Sequence, residues 1–402
     1  MFVWFRGYHS HVASNQLRLM IVAGEPSGDT HAAALVRELR LVAPDLPLEV
    51  FGATGPQMRA VGVEPVVQTD DLAILGLLEI GRALPKFWRA FKSLRQAAIE
   101  RNPHAVILVD WPDFNLRLAR SLHRRGLKVI YYISPQLWAW RSHRVRTIRR
   151  DVDLMLTILP FEPDWYAQRG VNHAEFVGHP LAGAVTARYG REEFCRFNEL
   201  DPKRPIISLL PGSRRKELQR ILPKMLDAVA LVARERPDAQ FILVVAPSRS
   251  PKEAKDIVNA RTSTLALPET LRIVHHETRE ALAASDVAAV ASGTVTLEAA
   301  LLGTPMVIVY KESAINWHVL GSLITTDHYG LVNLVAGKRI VTELMQNELN
   351  QGGLAAEILS LLNPDRNEEM RGRLREVAQQ LGEGGASRRA AERIIKSLES
   401  RV

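Results

Sequence analysis

Short apolar runs of strand-forming residues alternate with longer helical patterns along most of this chain, and that alternation dictates parallel sheets assembled from βαβ units. A first series predicts strands at 17–23, 48–51, 105–109, 128–133, 154–158 and 175–177, with helices at 29–41, 84–101 and 115–125. A second series predicts strands at 205–210, 240–245, 271–274, 287–291 and 306–310, with helices at 215–235, 253–262, 278–284 and 294–302. Gly183, Gly190, Pro202 and neighbouring charges interrupt the pattern over 182–203. A chain of 402 residues exceeds what one hydrophobic core usually serves, so the expected class is α/β with two Rossmann-like domains. We place an extension at 1–16, the domains at 17–185 and 200–365, and charged helices at 366–402 that can pack back on the first domain.

Charge narrows the partners only in part. Lys and Arg number 52 against 44 Asp and Glu, and the net +8 favours anionic ligands, whether nucleic acid, anionic lipid or sugar nucleotide. The lone Cys195 excludes an internal disulfide framework and a multi-cysteine zinc site, and fits a reducing compartment. No run approaches the ~20 apolar residues of a spanning helix. Arg6, His9 and His11 break any apolar core of a signal peptide near the start.

Three turns between strand and helix are candidate ligand sites. In AGEPSGD (23–29), Gly24 and Gly28 permit a tight turn, and Ser27 and Asp29 open the helix. The acidic Glu25 and Asp29 disfavour a dinucleotide and suit a hydroxyl-rich ligand, unless Asp29 simply caps. LLPGSRRKEL (209–218) has the opposite charge: Ser213 can cap the helix, and Arg214 is placed for a diphosphate. In ASGTVTLE (291–298), Ser292, Gly293 and Thr294 offer a phosphate cradle, and Glu298 follows one helical turn later, suited to ribose hydroxyls.

Candidate acid–base chemistry centres on VDWPDFN (109–115). Asp110 ends a buried strand, where partial desolvation raises a carboxyl towards a useful general base, whereas Asp113 and Asn115 read as helix caps. Trp138 and Trp140 read as core more than as sugar platforms, and Arg141, His143, Arg144, Arg146 and Arg149 form a basic face. Asp151 and Asp153 match a D-x-D pair but lack accompanying ligands, so they read as surface carboxylates. His275–His276 likewise has no metal context. The chain is expected to use no metal and no cofactor.

The motifs AGEPSGD, VDWPDFN, SPQLWAWR, LPFEPDWY, VGHPL, LLPGSR, ASGTVTLE, PMVIVYK and NLVAGKRIVTELMQ occur in the order found in lipid-A-disaccharide synthases, and the chain resembles that family over about 17–390. The resemblance implies a GT-B architecture, two Rossmann-like domains facing a central cleft. It implies an inverting hexosyltransferase that condenses UDP-2,3-diacylglucosamine with 2,3-diacylglucosamine 1-phosphate, giving a β(1→6) disaccharide 1-phosphate and UDP. It makes Asp110 the base and Ser213, Arg214, Ser292, Gly293, Thr294 and Glu298 donor contacts, with Asn333 and Gln346 added from NLVAGKRIVTELMQ. It also implies a cytoplasmic protein held peripherally at the inner membrane.

Segment 72–95 has the composition for that surface. Leu84, Phe87, Trp88, Phe91 and Leu94 share one helical face, with Arg82, Lys86, Arg89 and Lys92 mainly elsewhere. Phe87, Trp88 and Phe91 are the candidate membrane contacts, with a core-facing helix as the competing reading. Two other functions compete for the whole chain: a non-hydrolysing UDP-N-acetylglucosamine 2-epimerase and, remotely, a basic nucleic-acid-binding protein. Scattered basic residues and the lack of a binding module disfavour nucleic acid. Oligomeric state is left open.

Overall fold

The computed structural model describes residues 16–70, 80–313, 326 and 328–399. The extension at 1–15 and the apolar run 71–79 lie outside the described residues. By internal contacts the chain divides between Pro180 and Leu181 and again between Gly384 and Gly385, so the final helix belongs with the first unit.

The first unit holds β1 (Leu17–Ala23), β2 (Leu48–Thr54), β3 (Glu64–Gln68), β4 (Ala105–Val109), β5 (Val129–Tyr132), β6 (Leu154–Thr157) and β7 (Ala174–Phe176). They form one parallel sheet in the order β3-β2-β1-β4-β5-β6-β7. β4 reads AVILV and is buried throughout, as a central parallel strand covered on both faces must be. Side chains alternate along β1. Met20 and Val22 join one core layer with Leu94, Leu118 and Ile148. Leu19, Ile21 and Ala23 join the other with Leu35, Val36 and Ile394.

The second unit repeats the plan with β8 (Ile206–Leu210), β9 (Gln240–Val245), β10 (Leu271–His275), β11 (Val287–Ala291), β12 (Met306–Tyr310) and β13 (Glu343–Met345). Its parallel sheet runs β10-β9-β8-β11-β12-β13. In both sheets the order reverses beside the first strand, leaving a switch point at the carboxyl ends of β1 and β4 and of β8 and β11, where α/β sheets bind ligands.

The edge strands β3 and β13 escape sequence reading because both are short, and β3 carries Glu64, Pro65 and Gln68, which suit an exposed edge. The charged tail is two helices of different allegiance. Pro364–Gln380 stays in the second unit, capped by Asn363, and Ala386–Glu399 packs in the first. Gly382, Gly384 and Gly385, all at positive φ, make the break between them. Arg389 then donates to the Val177 carbonyl at 2.7 Å, and Arg393 pairs with Glu175 on β7. Among the described residues no helix is long and apolar enough to cross a membrane.

Candidate functional site

In the second unit the turns after β8 and β11 enclose a cavity of about 360 Å³ lined by Ser213, Arg214, Glu217, Thr278, Ser292, Gly293, Thr294 and Glu298, among others. Six residues singled out in the sequence therefore meet at one place. A Cβ on Gly293 would meet no atom within 4 Å, so glycine there leaves room beside the backbone. No acceptor among the described residues takes the N–H groups of Gly293, Thr294 and Val295, which leaves them available to an anion. Ser292 itself is committed: its N–H donates to the Val309 carbonyl and its hydroxyl to that of Tyr329.

The turn after β8 differs from expectation. Ser213 does not cap the helix Arg215–Glu235; the cap is Arg214. Glu217 reaches back and accepts from the N–H groups of both Ser213 and Arg214 at 3.1 Å, because a carboxylate three residues into a helix can satisfy the free donors of its first turn. Arg214 keeps an exposed guanidinium, 3.2 Å from Glu217. Sequence reading passed over Glu217.

Burial raises the Glu298 carboxyl above its usual range, opposed by Arg279, whose guanidinium lies 3.6 Å away. Arg279 was not foreseen. It also lines a neighbouring cavity of about 360 Å³ with Arg188, Pro247, His276, Thr278 and Glu298, so Glu298 borders both spaces. His276 stands there at φ +63°, its ring tilted against that of His275 with the centroids 3.8 Å apart.

Asn333 and Gln346 are not among the residues lining these cavities. Asn333 is fully buried, donating to Val341 and Glu343 and accepting from the N–H groups of Ile340 and Val341, so all four of its bonding positions are used within the fold. The Gln346 amide pairs with the backbone of Glu312.

In the first unit Asp110 follows β4 directly. Asp110 and Trp111 take φ values of +49° and +51°, two successive left-handed residues of which neither is glycine. Such positions cost of order 1–3 kcal/mol each and persist only where the surroundings enforce them. Burial, and then the like charge of Glu25, push the Asp110 carboxyl up to about 6, against a hydrogen bond from the Trp111 N–H. Asn115 does not cap the helix Pro112–His123. It is buried, and its Nδ2 donates to the Asp110 carbonyl at 2.8 Å and the Val109 carbonyl at 3.2 Å. Asp113 does not cap either: it is exposed and pairs with Arg141 and Arg144.

The turn 24–29 contributes differently from expectation. A Cβ on Gly24 would lie 2.0 Å from the Trp111 ring, so the close approach requiring glycine is to this tryptophan. Gly28 lies within the helix Pro26–Val42 with ordinary contacts, and Ser27 is exposed. Asp29 is buried, and its carboxylate accepts from the N–H groups of Gly55, Gln57 and Met58, anchoring the next loop. Glu25 remains the exposed carboxylate of this turn.

Beside Asp110 runs a largely apolar groove of about 730 Å³, lined by Leu84, Phe87, Trp88, Phe91, Trp111 and Phe114, with Asp113 and Arg117 also in its lining. Trp111 stacks on Phe114 at 4.1 Å. The three aromatics expected at a membrane divide: Phe87 and Phe91 pack against the core, while Trp88 is 58% exposed. The tryptophan pair divides too. Trp138 is buried with its Nε1 on Glu162, and Trp140 is partly exposed under Arg141. Burial lifts the Glu162 carboxyl to about 7.

Asp151 is buried, not superficial, and pairs with Arg150; Asp153 accepts from the Val129 N–H. No group of three or more His, Cys, Asp or Glu among the described residues could hold a metal ion.

Residues 19–396 match the lipid-A-disaccharide synthetase family. The lipid-A-disaccharide synthase of Solibacter usitatus is 43% identical over 392 residues, covering 96% of this chain and 98% of that protein. Among solved structures, a UDP-N-acetylglucosamine 2-epimerase from Listeria monocytogenes, described as putative, has a TM-score of 0.63 at 16% identity, covering 96% of both chains. The calicheamicin glycosyltransferase CalG4 has a TM-score of 0.57 at 15% identity, covering 96% of this chain and 99% of that one. At such identities these two share the fold alone.

Proposed function

The chain belongs to the lipid-A-disaccharide synthetase family, and from that premise we propose how its residues carry out hexosyl transfer from UDP-2,3-diacylglucosamine to 2,3-diacylglucosamine 1-phosphate. The observation that carries the proposal is Asp110, a half-buried carboxylate at a sheet switch point whose affinity for protons matches a general base near neutrality. Its carboxylate takes the proton of the acceptor hydroxyl as that oxygen attacks the anomeric carbon of the donor.

Donor recognition falls to the second unit. The free N–H groups at 293–295, with Arg214, receive the diphosphate and stabilise the charge that grows as UDP leaves. Glu298 accepts from ribose hydroxyls, and the adjoining cavity at His276 and Thr278 suits the base. Asn333 holds the fold beneath this site and is not proposed as a contact.

The aromatic groove beside Asp110 is our proposed seat for an acyl chain of the acceptor, and the exposed Trp88 and Leu84 on the same helix are the proposed points of contact with an anionic membrane surface. Lys92 stands over the Trp88 ring at 5.4 Å, the pairing of cation and indole that suits a lipid headgroup boundary.

The test is an assay with both lipid substrates, following disaccharide and UDP together. Equal yields of the two, abolished in Asp110→Asn while UDP binding persists, are expected, with a rate loss of about 10² or more. The rate should be indifferent to EDTA. UDP release without acceptor, or formation of a C2 epimer, would overturn the proposal.

A further inference from the structure

The backbone at Asp110 is held by two side chains that no part of the transfer chemistry requires. Tyr131, on the neighbouring strand β5, is fully buried, yet its hydroxyl is spent on one bond, a donation to the Asp110 carbonyl at 2.6 Å. Asn115, one turn into the following helix, donates to the same carbonyl at 2.8 Å. Its Oδ1 is buried without a hydrogen-bond partner, a cost that the fold accepts to keep Nδ2 aimed at the carbonyls of Asp110 and, at 3.2 Å, Val109. The Asp110 N–H continues the sheet, donating to the Tyr132 carbonyl at 3.2 Å.

The peptide groups on both sides of Asp110 are therefore tethered, one through its N–H and the other through its carbonyl. Two donors converge on a carbonyl that an unconstrained strand end would leave to water, and the chain turns left-handed at 110 and again at 111. Where the backbone turns that way, the direction of Cβ is set by φ and ψ, and with it the direction of the carboxylate.

We infer that Tyr131 and Asn115 are positioning residues for the transfer reaction, a two-sided clamp on the Asp110 carbonyl that holds this residue left-handed and aims its carboxylate. The inference rests on the reading of Asp110 as the base. The clamp is durable across pH: burial keeps the Tyr131 phenol protonated far above neutrality, and an amide does not titrate. The ionisable groups around it are Glu25, facing Asp110 from the turn after β1, and Tyr166, Arg144 and Asp113, facing Tyr131.

The experiment is a double-mutant cycle in the full chain. Tyr131→Phe deletes one oxygen and keeps the ring in its core; Asn115→Ser shortens the second donor. Displacing a reacting group by about 1 Å can cost around 100-fold, so each variant should lose roughly 10- to 100-fold in kcat. KM for the UDP-sugar should not change. In the Asp110→Asn background the same substitutions should cost nothing further, because they act through the carboxylate. The acid limb of kcat against pH should also move down in Tyr131→Phe, as the released carboxylate gains water. Folded variants with full kcat, or an equal further loss in the Asp110→Asn background, would overturn the inference. So would failure of both variants to fold, which would make the pair structural alone. The base assignment fails separately: that outcome is an active Asp110→Asn.

Discussion

Asp110 binds its proton more tightly in the folded protein, at about 6, than the ordinary carboxyl at 3.8. Its contribution to stability is therefore full below about 3.8 and is lost as pH rises through about 6. Catalysis runs the other way, since a base must be ionised. Asp110→Asn should accordingly be inactive and yet gain melting temperature relative to the parent as pH rises from about 4 to about 7. A gap that stays constant in thermal melts over that range would show that the carboxyl is not desolvated. Glu298 makes a separate prediction. Glu298→Ala should weaken UDP by about 10- to 100-fold, the scale of one charge-assisted hydrogen bond, and should erase most of the preference for UDP over dUDP in a titration. Equal preference in parent and variant would remove the ribose role. At this scale the sequence locates a residue where its type coincides with a place just after a strand, as for Asp110 and Gly293, which the structure sets beside cavities, while their roles are our proposal. It is silent where geometry alone gives the role. Tyr131 sits in an apolar strand and reads as core, and nothing in Asp110–Trp111 announces two left-handed residues.

Helices and strands follow the apolar pattern closely in the middle of each sheet and poorly at the margins. β4, β8 and β11 are wholly buried and read directly, whereas β3, largely exposed, and β13, only three residues long, carry no periodic signal. The helix Ile80–Arg101 shows why amphipathic pattern does not separate a membrane face from a core face. Both need an apolar stripe, and here Phe91 meets Phe114 at 6.0 Å while Trp88, three residues earlier, faces outward. The two should part in experiment. Trp88→Ser should leave stability within about 0.5 kcal/mol and lower binding to anionic vesicles, as befits an exposed interfacial residue. Phe91→Ser should cost about 1–3 kcal/mol in denaturant melts through lost apolar burial. If Trp88→Ser binds vesicles as well as the parent, contact with the membrane is made elsewhere.

Across the whole molecule, the first unit is assembled from both ends of the described chain. Ile394 on the final helix is fully buried in the same layer as Leu19, Ile21 and Val36. Ile394→Ala should therefore cost about 2–5 kcal/mol in the first unit, and UDP affinity measured by calorimetry should be unchanged because its proposed contacts lie in the second. A stability loss accompanied by weaker UDP binding would mean that the two units do not behave independently. The return of that helix also bears on birth order at the ribosome. A protein usually folds its leading domain while the rest is being translated, at roughly 5–20 residues per second. Here the leading sheet emerges with one flank covered only in part, by the helix Pro26–Val42, and the helix that completes the layer follows only after Leu181–Gly384 has been made. For roughly 10–40 s at that pace the nascent first unit must tolerate an incompletely covered apolar layer, while the unit translated later can mature before it.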